Sequence, residues 1–170
     1  MIKKGYLIIG MFIFVLAACS SDDNDADRLD EIPSISVYVD EEEVSTNAHM
    51  MCWNDCDQSE PDAINAQEEA EGLTAGSASS ESVVTIQVND EEIDLLEQEP
   101  IHAMIVNDGS SSTQYHDIGG NQFVVNEFGV GAPTSDERIY IVDTYWPSSL
   151  NENEVIGRIR VTFALSLTED

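Results

Sequence analysis

Gly157 to Leu167, "GRIRVTFALSL", alternates without a break. Ile159, Val161, Phe163, Leu165 and Leu167 fall on one face, and Arg158, Arg160, Thr162, Ala164 and Ser166 on the other. A period of two is that of a strand with one side buried. It recurs in "SISVYVDEEEVST", where Ile35, Val37 and Val39 precede an acidic turn and Val44. It recurs again in "SVVTIQVNDEEIDLL", where Val84, Ile86 and Val88 lead to a turn at Asn89-Asp90 and then Ile93. At an offset of 49 residues, "ISVYVDEEEV" and "VTIQVNDEEI" are alike, which predicts two similar hairpins rather than a solenoid of many repeats. Further strands are predicted at "PIHAMIV", "QFVVN" and "RIYIVDTYW". Helical periodicity is confined to "DAINAQEEAEG" at 62–72, where Gly72 can end one short acidic helix, and "LTAGSASSES" at 73–82 reads as flexible loop. About seven or eight short strands between turn residues predict an all-β chain, an immunoglobulin-like β-sandwich.

The one long apolar run has a different character. Met1-Ile2-Lys3-Lys4 is a cationic start, and Gly5 to Ala18 are 14 apolar or small residues. That is the length of a signal-peptide core and shorter than the ~20 residues a helix needs to cross a bilayer. The run closes on Leu16-Ala17-Ala18-Cys19, which resembles the lipobox of bacterial lipoproteins. The resemblance implies cleavage before Cys19, a diacylglyceryl thioether on its sulfur and a chain held on the outer face of the cell membrane. Two acyl chains anchor stably where one binds only marginally. The expected organisation is therefore a signal peptide at 1–18, an acidic disordered tether at 19–32, and a β-sandwich domain at 33–170. That domain would carry a flexible acidic insertion at about 57–82.

Charge narrows the partners. The whole chain carries 34 acidic residues against 6 Lys and Arg, a formal charge of −28. Removal of 1–18 takes away both lysines and leaves Arg28, Arg138, Arg158 and Arg160 as the only fixed cations. A polyanion of this density is repelled by nucleic acid and by anionic headgroups, so a cation or an extracytoplasmic protein is the expected partner. Acidic, lysine-free surfaces also suit secreted proteins of salty or alkaline habitats. The tether "SSDDNDADRLDE" invites a calcium-loop reading, but Asp23, Asp25 and Asp27 at loop positions 1, 3 and 5 put Arg28 where glycine is required. Ser34 then stands where a bidentate glutamate belongs, so the EF-hand reading fails.

"IPSISVYVDEEEVSTNAHMMCWNDCDQSEPD" resembles the opening of a group of small, functionally uncharacterised lipoproteins from spore-forming Gram-positive bacteria. The shared features are a proline, an alternating strand, a turn, a Cys-Trp step and a second Cys before an acid. "YIVDTYWPSS" and "GRIRVTFAL" are similar to the group's closing hairpin. Met51 replaces the aromatic before Cys-Trp, and the turn is Asp-Glu-Glu rather than glycine-bearing. The resemblance implies address and fold, and no activity.

The chemistry-bearing stretch is "HMMCWNDC". With Cys19 acylated, Cys52 and Cys56 are an even pair of thiols in an oxidising compartment. A straight strand would hold their Cα atoms about 13 Å apart. A disulfide needs ~7 Å or less, so the pair bonds only if Trp53-Asn54-Asp55 turns, and Asn-Asp is good turn chemistry. The alternative is an extracytoplasmic Cu(I)-handling or thiol-redox lipoprotein, with His49, Met51, Cys52 and Cys56 as soft ligands. Membrane-anchored copper assembly proteins carry such a Cys-x-x-x-Cys and a histidine, but at the start of a helix in a thioredoxin-like fold that this pattern lacks.

Elsewhere the sequence offers no catalytic arrangement. There is no Gly-x-Ser-x-Gly elbow, and "DGSSST" at 108–113 reads as a polar loop tip. "GGNQFVVNEFGVG" lacks the order of a phosphate loop and its lysine. His102 is expected at a strand start and His116 in a loop. Among so many acids, adjacent carboxylates carry no information. Tyr140, Tyr145 and Trp146 are expected to pack in the core rather than form a ligand-stacking platform. The expected protein is non-enzymatic and without a cofactor.

Overall fold

The structure, a computed structural model, describes residues 32–54, 56, 64–89, 100–107, 114–126, 136–148 and 154–168. The signal segment 1–18, Cys19 with the tether to 31, residues 57–63, the turn after Asn89 with Ile93, and the 108–113 tip lie outside them.

Two antiparallel sheets face each other. One contains β1 (Ser34–Val39), β2 (Glu42–Glu43), β5 (Val83–Asn89) and β8 (Gln122–Val124) in the order β2-β1-β5-β8. The other runs β3-β10-β9-β6-β7, from β3 (Thr46–Trp53), β10 (Val155–Leu167), β9 (Glu137–Pro147), β6 (Ile101–Asn107) and β7 (Gln114–Ile118). A short β4 (Gly76–Ala78) pairs in parallel with the end of β10. Taking β1, β5 and β8 as strands A, B and E, and β10, β9, β6 and β7 as G, F, C and C′, reproduces the immunoglobulin neighbour order. The expected all-β sandwich is the observed one. Strands β2 to β4, with α1 (Ala66–Glu69), are inserted between A and B.

Alternation explains which faces meet. Ile35, Val37 and Val39 of β1, and Val84 and Ile86 of β5, close on Met104, Val106, Tyr140, Val142, Val161, Phe163 and Leu165 of the opposite sheet. The Tyr140 and Phe163 rings stack at 5.1 Å, with Phe123 5.9 Å from Tyr140. The likeness between the two N-terminal segments marks neighbours; only the first of the two expected hairpins, β1 with β2, lies within the described residues. β1 and β5 pair antiparallel with Val37 opposite Ile86, so each supplies the same apolar side to one core. The first hairpin turns through Asp40 and Glu41, both at positive φ (47° and 75°). That is the twist a two-residue hairpin demands, reached here without glycine. The Asp40 carboxylate accepts the Val83 N–H at 2.9 Å. The Ser82 hydroxyl, and then this N–H, hold its pKa below the usual range.

Two expectations are corrected here, and one strand was missed. Residues 73–82, expected as a flexible loop, contribute β4, and Thr168 N–H donates to the Ala78 carbonyl at 2.9 Å. His116, expected in a loop, lies on β7 opposite Met104. β3 was not legible as a strand, because an edge strand is specified by the neighbour whose backbone it completes. The short acidic helix stands where periodicity put it. Asn65 caps α1 by accepting the Glu68 N–H, and Gly72 at φ +82 follows its last turn.

His102 is a satisfied core histidine, 3% exposed, with Nδ1 2.8 Å from Thr144 Oγ1. Burial lowers its pKa from 6.5 to about 4, because the charged ring loses its water. The unfolded chain therefore takes up a proton that the folded one refuses between those two values. This contribution to stability is full above about pH 6.5 and is lost as pH falls toward 4, by roughly 2–3 kcal/mol. His102→Asn should remove that part of the pH dependence. Equal slopes of unfolding free energy against pH in the two proteins would refute it.

Candidate functional site

The singled-out stretch lies at one edge of the larger sheet. Among the described residues β3 pairs with β10 on one side only, from Phe163 opposite Thr46 to Gly157 opposite Trp53. The register shifts between Arg158 and Ile159, which leaves Met51 as an extra residue between Met50 and Cys52. Such a bulge sharpens the twist at a strand end. Beyond it Asn54 takes a left-handed conformation, φ 62°, and its N–H donates to the Ile156 carbonyl at 2.6 Å. The chain doubles back and brings the Cys52 and Cys56 Cα atoms to 5.3 Å, and the two sulfurs are bonded. Cys56 Sγ also rests 3.5 Å from the Ile156 oxygen, a contact and not a hydrogen bond, since a bonded sulfur carries no proton.

The staple brackets Trp53. Its ring lies over Gly157, where a Cβ would overlap Cζ3 and Cε3, and meets Trp146 edge-on at 5.4 Å and 76°. Trp146 is fully buried, and so is Tyr140, as expected. Tyr145, expected in the core, is half-buried on the outward face of the larger sheet, where burial and then Asp117 raise its pKa.

With their sulfurs joined, Cys52 and Cys56 offer no thiolate to the copper set. His49 turns instead to Glu69, Nε2 to Oε2 3.5 Å, and Met51 is half-buried. Among the described residues no three His, Cys, Asp or Glu side chains converge as a metal cluster. Purified without reductant, the chain should show no free thiol at Cys52 or Cys56 after denaturation, and should gain two hydrogens on reduction. Reduction should cost about 2 kcal/mol, because the closed loop is short. Two titratable thiols there would overturn the bond.

Sequence reading missed two neighbouring features. The first is a charged cluster on the outward face of the larger sheet, where Asp143 sits between Arg158 and Arg160. Arg160 Nε and Nη2 donate to its two oxygens at 2.8 and 3.1 Å, and Arg158 Nη2 donates at 2.6 Å. Arg160 is 2% exposed, so two of the chain's rare cations are held at one carboxylate, one of them inside. The second is a groove of about 540 Å³ between β3 and α1, lined by Asn47, His49, Asn65, Glu68, Glu69 and Glu71. The Asn47 amide fixes its wall by donating to the Glu69 and Glu71 carbonyls at 2.9 and 3.3 Å. No signal in the sequence alone joins residues 47–49 to 65–71. No family model, curated protein or solved structure matches this chain.

Proposed function

We propose that this chain is a membrane-anchored extracytoplasmic lipoprotein whose β-sandwich acts as a non-enzymatic interaction or envelope-associated module. The observation that carries it is the N-terminal order: Lys3-Lys4, the apolar run Gly5 to Ala18, then Leu16-Ala17-Ala18-Cys19. The likeness to small lipoproteins of spore-forming Gram-positive bacteria supports the same address. The Cys52–Cys56 bond agrees with an oxidising compartment. The interaction reading draws support from how two buried titratable groups are engaged. His102 is paired with Thr144, and Asp143 with two arginines, so these groups serve the fold. The acidic tether would stand the domain off the membrane.

Cells fed a palmitate analogue should label the wild-type chain, and Cys19→Ala should abolish the label and leave an uncleaved or released protein. Label persisting in Cys19→Ala would refute the anchor.

A further inference from the structure

β3 is the edge of the larger sheet, and three consecutive residues on it, Ala48, His49 and Met50, are open to solvent. Met50 is 54% exposed. Among the described residues no strand pairs with its outer side. Natural sheets blunt such edges with charge, proline, very short strands or bulges, and the bulge of β3 falls at Met51, past the open residues 48–50. β3 is 8 residues long, and its sequence, "TNAHMMCW", has neither a fixed charge nor a proline. In a chain with 34 acidic residues, this open edge carries none of them.

The two sides of that edge differ. Ala48 and Met50 stand opposite Val161 and Ile159, on the side of the core, and present an apolar rim. Asn47 and His49 stand opposite Thr162 and Arg160, on the outward side, where Glu68, Glu69 and Glu71 line the groove. A strand added beside β3 would send alternate side chains to these two sides. One set would meet carboxylates and the other a methionine.

We infer that β3 is a docking edge for an extended, basic segment of a partner protein, held by strand addition, with Lys or Arg facing the groove and apolar residues facing Met50. Main-chain hydrogen bonds supply the attachment, and the alternating pattern supplies the choice of partner. A second copy of this chain fits less well, because two-fold pairing of β3 with itself would bring two groups of glutamates together. The inference deepens the interaction-module reading and rests on it for its setting. The binding measurement does not involve Cys19, so its outcome is separable from that of palmitate labelling.

The probe is a peptide as long as β3, 8 residues of alternating lysine and valine. It is titrated into the full chain in mild detergent at low ionic strength, beside two versions N-methylated at the odd or the even amides. In strand addition only one alternate set of amides faces the protein, so one methylated version should bind like the parent and the other should lose binding. Glu68→Gln/Glu69→Gln/Glu71→Gln should weaken the parent by about tenfold at low salt and by less at high salt. Met50→Lys should weaken it as well. No binding of the parent would overturn the inference. So would equal binding of all three peptides, the behaviour of a polycation on a polyanion, or loss of binding by both methylated versions. A self-associating chain that ignores the peptide would overturn it in favour of the second copy.

Discussion

Asp143→Ala should destabilise the domain by about 3–5 kcal/mol, the cost of breaking a buried ion pair from one side. The carboxylate is the shared acceptor of two guanidinium groups, taking two hydrogen bonds from Arg160 and one of 2.6 Å from Arg158. Arg158 can turn to water, since its side chain is 30% exposed. Arg160 cannot, since its side chain is 2% exposed. The loss therefore arises chiefly from a guanidinium left buried without its bidentate partner. Arg160 has a further partner, which tempers the loss without replacing the bidentate contact. Asp143→Asn keeps the shape and removes the charge, and should fall between wild type and alanine. Asp143→Leu/Arg160→Met removes the pair together and should be less destabilised than Asp143→Ala, because apolar replacement of a whole buried pair is often neutral. Urea unfolding of the four proteins decides it. A loss under about 1 kcal/mol for Asp143→Ala, the range of an exposed pair, would show that the cluster is not buried as described.

Gly157→Ala should cost about 2–4 kcal/mol, the scale of removing much of a large aromatic side chain from a core. The added methyl group would occupy the space of the Trp53 six-membered ring, and that ring cannot move inward because Trp146 stands behind it. Nor can it pivot freely, since Cys52 and Cys56 hold the turn on either side. The expected outcome is a Trp53 ring displaced into solvent and no longer packed edge-on against Trp146. The chain's two tryptophans form this pair, so fluorescence should shift to the red and the near-UV signal should fall. In a Trp53→Ala background, Gly157→Ala should cost under about 1 kcal/mol, the non-additivity expected of residues in direct contact. Equal costs in both backgrounds would mean that glycine serves the backbone there and not the ring.

How much of this was legible beforehand varies by strand. β1, β5 and β10 were readable, because each turns one apolar side to the core and the period of two survives in the sequence, and β9 was readable as a short apolar run buried on both faces. β3, β4 and β7 were not. They lie at or near the edges of the larger sheet, where pairing with β10 or β6 fixes the backbone and side chains need not alternate. The outward face of β10 misled in another way. Arg160, Thr162 and Ala164 alternate like a solvent face, yet all three are buried. On the same face, the 64–73 segment lays Ile64 and Ala66 over Ile105, Ile139 and Ile141, which begins a second apolar layer outside the sheet.

The sequence by itself determined the fold class, because alternation, turn residues and the near absence of helical periodicity are local properties and leave few other ways to bury the apolar positions. It also determined that Cys52 and Cys56 could meet, because Asn54 is a residue that accepts the left-handed conformation the closure needs. What lies between distant segments was decided by tertiary structure alone. Asp143 meets Arg160 only through the register of β9 on β10, and Trp53 covers Gly157 only through that of β3 on β10. Glu68, Glu69 and Glu71 flank β3 because Ile64 and Ala66 pack on the sheet and Asn47 reaches the Glu69 and Glu71 carbonyls. Register is set by hydrogen bonds between backbones far apart in the chain, and a slip of one residue would turn each of these side chains to the opposite face.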